Sequence, residues 1–384
     1  MTAPAVRRSA SAGDVAVADL RAHVYRHRLE TPVRTSFGEM RERTAVFVRV
    51  EDAEGAVGWG EIWCNFPPSA AEHRARLVET VFAPLLERRA PDAPQALFET
   101  LTARTAVLAL QSGEPGPINQ CIAGIDIALW DLAARRAGEP LWRYLGGDKP
   151  RVRVYASGIN PDRPQDMVAA CYAEGHRAFK LKVGFGEARD LENLRAVRDT
   201  IDRSSALMID ANQAWDLATA LRIAPALAAF DLGWLEEPLR ADRPWSEWRA
   251  LAKSCSMPLA AGENIAGDAA FEAAIDAGAL RVVQPDIAKW GGFSGCLPLA
   301  RRILRAGLRY CPHYLGGGVG LLASAHLLAA VGGDGLLEMD VNPNPLRTST
   351  CGSVEKVVDG FAALDDGPGL GITPDLALLH RWTV

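Results

Sequence analysis

After Pro150 the chain alternates between eight short apolar or β-branched stretches and Ala/Leu/Arg-rich helical ones. The short stretches read "RVRVYASG", "AFKLKVG", "ALMIDANQ", "LGWLEEP", "PLAAGEN", "RVVQPDI", "LRYCPHY" and "GLLEMDV". Parallel strands need long crossover connections, usually helical, and eight such units close into a ring. The alternation therefore predicts an α/β fold, a (β/α)8-type (TIM-like) barrel over 151–342.

Residues 16–150 mix strands and helices and predict an α+β capping domain. "VADLRAHVYRH" and "TAVFVRVEDAEGAVGWGEIW" read as strands, the second pair joined by a turn at 52–55. Helical periodicity follows over about 70–88 and again through "NQCIAGIDIALWDLAARRAGEPLWRYLGG", where Gly138 should end the helix and Pro140 prevent its continuation. Residues 1–15 contain arginines without an apolar run after them, so a disordered tail is expected there rather than a signal peptide. The segment 343–384 loses the alternation and is expected to pack back on the capping domain.

Composition excludes several partners. A net charge of −5 argues against nucleic acid, which calls for a basic face. "YLGGGVGLLASAHLLAAVGG" carries no formal charge, but its glycines, its histidine and its place in the alternation make it a buried helix, so no membrane partner is expected. Seven scattered cysteines, never paired as CxxC, suit reduced thiols in the cytoplasm. The chain is expected to work as a homo-oligomer.

Seven of the eight strands end in an ionisable residue just before Gly, Pro or a polar loop: Lys182, Asp210, Glu236, Glu263, Asp286, His313 and Glu338. They recur every 23 to 28 residues, roughly one strand–helix unit. The C-terminal strand ends of such a barrel line its active site, so all seven should converge on one mouth. Asp210, Glu236 and Glu263 would repel one another without a cation, and hard oxygen ligands that leave room for substrate suit Mg²⁺. Glu236 is preferred over Glu237 because adjacent strand residues face opposite ways.

Lys180 and Lys182 share one face of their strand. A base acting next to a carboxylate must be neutral near pH 7, and a neighbouring ammonium with burial and the metal should bring Lys182 down from its ordinary ~10.4 toward ~7–8. Lys182 is then the base and Lys180 its electrostatic neighbour. Asp286 and His313 lie on adjacent strands, where the carboxylate can orient and stabilise an imidazolium.

With these residues in place, the chain resembles the enolase superfamily, in particular its mandelate racemase subgroup. The similarity runs from about 16 to 380 through "KLK", "DANQAW", "LEEP", "GEN", "QPDIAKWGG", "CPHY" and "LLEMD". The resemblance implies Mg²⁺ on Asp210, Glu236 and Glu263, a base at Lys182, an acid/base at His313 with Asp286, and Glu338 as a hydrogen-bonding electrophile for the substrate carboxylate. Asp286 stands where the lactonising and succinylbenzoate-synthase branches carry a lysine, and Lys289, three residues on, does not replace it.

The shared first step of the subgroup is removal of a proton α to a carboxylate. Loss of a β-hydroxyl then gives a 2-keto-3-deoxy acid, so the resemblance favours sugar-acid dehydration, a Mg-dependent lyase. Racemisation or epimerisation of a 2-hydroxy acid on the same bases is the alternative, and a non-catalytic metal-binding scaffold a distant third. Specificity is expected from 31–43 and 63–68, with Arg34 and Asn212 as substrate contacts.

Overall fold

The computed structural model describes residues 14–36, 38–87 and 92–384. Residues 1–13 of the expected tail lie outside these; Val15 is buried and bridged to Asp92 through both backbone groups. The strands β1 (Val17–Thr35), β2 (Gly38–Asp52) and β3 (Val57–Ile62) form an antiparallel sheet in that order. The turn between β2 and β3 is the expected one: Asp52 accepts from the backbone N–H groups of Glu54 and Ala56, and Gly55 takes a left-handed φ of 84°.

Helix Pro115–Ala137 packs tightly on this sheet, because a side chain at Gly60 would stand 2.0 Å from the Gly124 carbonyl oxygen. It ends at Gly138 in the left-handed conformation, as expected.

The next eight strands are those the alternation predicted: β4 (Arg151–Ile159), β5 (Ala178–Lys182), β6 (Ala206–Asp210), β7 (Leu235–Glu236), β8 (Leu259–Ala261), β9 (Val282–Val283), β10 (Arg309–Tyr310) and β11 (Leu336–Asp340). Each pairs in parallel with the next up to β10, and β11 pairs in parallel with β4. At the β10–β11 seam the Leu336 N–H donates to Cys311 Sγ at 3.4 Å.

Alternation along the strands sorts their side chains. Phe179, Leu181, Leu207, Ile209, Leu235, Leu259 and Val283 join the core between strands and outer helices. Inside the barrel, Tyr155, Ala178, Met208, Trp234, Ala260, Val282, Cys311 and Leu336 form one buried layer, with a residue from each strand or its immediate flank. That layer is the floor on which the ionisable groups stand. No helix among the described residues is long and apolar enough to cross a membrane; the uncharged stretch from 314 forms the buried helix Gly318–Val331.

The C-terminal segment divides between the two domains. Strand β12 (Val357–Val358) turns into β13 (Phe361–Ala363), which adds antiparallel to β4 of the barrel. The rest meets the cap at two places: Gly369 exchanges backbone hydrogen bonds with Glu139 and Leu141 while the Leu370 N–H donates to Asp131 and Arg135 donates to the Ile372 carbonyl, and Thr383 bridges Tyr25 of β1. Other contacts join cap and barrel. Asp126 accepts from the Ser294 N–H and hydroxyl, and the Trp130 indole donates to the Ser294 oxygen. Glu61 of β3 accepts from the N–H groups of Gly317 and Gly320 at 2.5 and 2.8 Å, and Arg43 pairs with Asp340. A side chain at Gly317 would collide with Glu61, so this glycine serves the joint between domains.

Candidate active site

The two lysines point into the barrel. Lys180, wholly buried, places its ammonium 2.6 Å from Glu236, 2.7 Å from Glu338 and 3.8 Å from Asp210. Lys182, one step nearer the mouth, lies 2.7 Å from Asp210. Register puts Lys182, Asp210 and Glu236 side by side on three successive strands. Asp210 also accepts from the Asn212 backbone and amide, in a tight turn where Asn212 and Gln213 both have positive φ.

Lys182 corrects the expectation of a lowered pKa. Burial works most strongly to lower it and Lys180 adds to that, but the charge and hydrogen bond of Asp210 together with Glu236 outweigh them, so in the protein alone it lies above the ordinary lysine value. Lys180 is likewise raised: burial is overcome by Glu236 and Glu338.

Glu236 is held from three sides, by Lys180, the Trp234 indole and the Gln284 amide at 2.6 to 3.0 Å. Burial leads in raising its carboxyl to about 7. The expectation that Glu237 points away is not met. A φ of 38° at Glu237 breaks the strand alternation and turns its carboxylate toward the Asn264 amide at 2.9 Å. Burial first, then the charges of Glu263 and Asp210, push this carboxyl well above its usual range.

On the other side, His313 Nδ1 meets Asp286 at 2.7 Å and Nε2 meets Glu263 at 2.5 Å. Asp286 is fixed by the backbone N–H groups of Ala288 and Lys289. Burial disfavours the imidazolium, but Glu263, Glu338 and Asp286 more than reverse this and hold His313 protonated well above its ordinary pKa. Glu263, expected as a metal ligand, therefore also serves as an ion-pair partner of the histidine.

Glu338 accepts from Ser157 and Lys180 on one oxygen and from the Tyr314 N–H on the other. Burial would raise it, but Lys180 and His313 outweigh burial and hold it at about 2. In the protein alone it is thus an anion that accepts hydrogen bonds, not the donor expected.

A cavity of about 120 Å³ opens over these groups. Lys182, Asn212, Glu263, His313 and Glu338 lie on its wall, and the cap contributes Val33, Met40, Trp63, Asn65 and Phe66. Arg34 is not on that wall: its guanidinium pairs with Asp162 at 2.5 Å and faces Glu39 at the surface.

Among the described residues, no three acidic, His or Cys side chains stand in ready metal-binding geometry. The chemistry of the site nevertheless fits a divalent cation. Six carboxylates (Asp210, Glu236, Glu237, Glu263, Asp286, Glu338) face three ammonium groups (Lys180, Lys182, Lys289) and one imidazolium (His313), an excess of two negative charges when all are ionised. Asn212 Oδ1 is buried without a hydrogen-bond partner and adds an unused oxygen donor beside Asp210.

Sequence reasoning missed Ser157, Trp234, Gln284 and Asn264. For Trp234 and Gln284 the signal was available, since each lies two residues before a named acid and so faces the same way.

Residues 18–146 match the mandelate racemase/muconate lactonizing enzyme N-terminal domain, and residues 165–378 match the enolase C-terminal domain-like family. The chain belongs to the mandelate racemase subgroup of the enolase superfamily. A mandelate racemase/muconate lactonizing enzyme structure from Bordetella bronchiseptica RB50 is 59% identical, with a TM-score of 0.91 over 96% of this chain and 99% of that one. D-galactarolactone cycloisomerase of Agrobacterium fabrum is 32% identical over 92% of this chain and 95% of its own length. L-talarate/galactarate dehydratase of Salmonella typhimurium is 35% identical over 71% of this chain and 67% of its own. A Bradyrhizobium member of this superfamily, 28% identical with a TM-score of 0.83 over 97% of this chain and 99% of its own, is described with magnesium and mandelic acid.

Proposed function

We propose that this protein removes the proton α to the carboxylate of a sugar acid and expels the oxygen on the β-carbon, giving a 2-keto-3-deoxy acid. The observation that carries the reading is that Lys182 and the His313–Asp286 pair reach one pocket from separate strands. Sugar-acid relatives, dehydratases and cycloisomerases alike, support the substrate class. Asp210, Glu236 and Glu263 would hold one Mg²⁺, which when bound supplies a hard Lewis acid against the charge growing on the substrate carboxylate.

With Asp210 given over to Mg²⁺, Lys182, the pocket-lining lysine of the pair, loses the carboxylate that holds it charged, and its neutral amine then takes the α-proton. His313 gives the proton on Nε2 to the departing oxygen, because hydroxide leaves poorly unassisted. Asp286 keeps Nδ1 occupied and the ring oriented. Glu338 lies on the pocket wall, where like-charge repulsion from a substrate carboxylate would favour its protonated form, the one that can donate to the substrate. When the β-oxygen is a hydroxyl, water is lost. When it belongs to a ring, the same elimination opens the ring without losing atoms, which is an isomerisation.

A second reading has its own observation. Val33, Met40, Trp63, Phe66 and Leu315 make an apolar pocket wall that suits a 2-hydroxy acid with an apolar substituent, racemised between Lys182 and His313. We place the protein in the cytoplasm, since all seven cysteines are unpaired. Exposed Val107, Leu108 and Leu110 on helix Pro94–Ser112 support a homo-oligomer.

NMR of the protein with Mg²⁺ and a panel of aldonates, aldarates and their lactones in D₂O tests the reaction. Keto-acid formation that disappears in His313→Asn, while α-deuteration through Lys182 persists, is expected. Deuterated or inverted substrate with no keto acid from any compound would replace elimination by racemisation.

A further inference from the structure

We infer that Lys289 is the subsite for a second carboxylate, so that the preferred substrate is a dicarboxylic sugar acid or its lactone; this rests on the reaction proposed above. Lys289 follows β9 and lies on the pocket wall. Its side chain is only 14% exposed, and its ammonium stands 4.6 Å above the Trp63 ring of the cap.

The other pocket cations are tightly paired: Lys182 with Asp210 at 2.7 Å, His313 with Asp286 and Glu263 at 2.7 and 2.5 Å. Lys289 has only the neutral Asn264 amide oxygen at 3.2 Å, and its nearest carboxylate, Glu263, is 3.7 Å away and already held by the histidine. A mostly desolvated ammonium with so loose a counter-charge is favoured by an incoming anion.

Little else on the cap side could receive one. The wall there is apolar apart from Asn65, and Arg34 is engaged with Asp162. A single ammonium beside Asn264, in a pocket that Gln213 also lines, matches one carboxylate with neighbouring hydroxyls. The Trp63 ring under the ammonium helps to fix where that carboxylate would sit.

The test compares galactarate with galactonate, which share configuration but differ in the distal carboxylate. Two ratios are measured with Mg²⁺ present: diacid over monoacid kcat/KM in the parent protein, and diacid over monoacid affinity by calorimetry in Lys182→Ala protein. Lys289→Met should lower each ratio roughly 10–100-fold, the worth of a charge-assisted hydrogen bond, and Lys289→Arg should restore part of it. Unchanged ratios in Lys289→Met, or no diacid preference with Lys289 intact, overturn the inference. Were neither acid turned over while the affinity ratio still collapsed in Lys289→Met, the subsite would stand and the proposed reaction would fall.

Discussion

Glu61 offers a quantitative check on how the cap is joined to the barrel. Its carboxylate lies in the interior, receiving the N–H groups of Gly317 and Gly320 at the start of helix Gly318–Val331. Burial dominates and raises its carboxyl from 4.5 to about 7, against the two backbone donors and the Tyr314 hydroxyl, with Asp286 adding to the rise. A carboxyl raised on folding contributes stability that is full below pH 4.5 and is lost as pH climbs through about 7. At about 1.4 kcal/mol per pH unit, that window is worth roughly 3 kcal/mol.

Glu61→Gln cannot titrate, so it removes this contribution to the pH dependence while Asp126, raised mainly by burial to about 7, retains its own. Urea unfolding of parent and variant at pH 4.5 and pH 8 measures the difference. The variant is expected to be the less stable at pH 4.5, since one face of its amide cannot accept, and to recover roughly 3 kcal/mol relative to the parent by pH 8. Stability curves that stay parallel across that range would refute the account.

Lys180→Met should destabilise the metal-free protein by about 3–5 kcal/mol by leaving Glu236 and Glu338 as uncompensated buried charges, a loss visible in thermal unfolding. Mg²⁺ should then raise the melting temperature of this variant more than that of the parent; an unaltered melt would mean the lysine carries no such burden. Asp210→Asn, Glu236→Gln and Glu263→Gln should each weaken Mg²⁺ binding at least tenfold by calorimetry, roughly the smallest effect expected from losing a charged ligand. Glu237→Gln should weaken it less, and the reverse order for Glu236 and Glu237 would reassign the ligand.

Much of this architecture is legible in the sequence because strands and loops obey local rules. The eight barrel strands are short apolar runs closed by Gly, Pro or polar residues, and period-two alternation correctly sets Lys180 and Lys182 on the face opposite Phe179 and Leu181. What eluded it depends on partners distant in sequence or on single dihedral angles. Arg34 finds Asp162 across 128 positions, and β13 adds to β4 from the far end of the chain. Glu237 escapes the alternation through one positive φ. The ionisation of Lys182 and Glu338 is set by the sum of several charges brought together only by folding.

The contacts between cap and barrel differ sharply from back to front. Behind the pocket, Asp126, Trp130 and Ser294 form a closed polar knot between two long helices, and Glu61 and Arg43 add buried charged contacts. At the mouth the fastenings are single and more exposed: the Ser36 hydroxyl on the Asn212 carbonyl, the Asn65 amide on the Leu315 carbonyl, the Trp63 N–H on the Ala288 carbonyl, the Arg34 N–H on the Asn160 side chain and the Arg34 guanidinium on Asp162. The molecule therefore cannot gape like a clam, because the rear would have to break first. The contacts that part most cheaply are those of the two cap loops. Each such hydrogen bond is worth only about 1 kcal/mol net, and closed over substrate the two loops keep bulk water off a reactive intermediate.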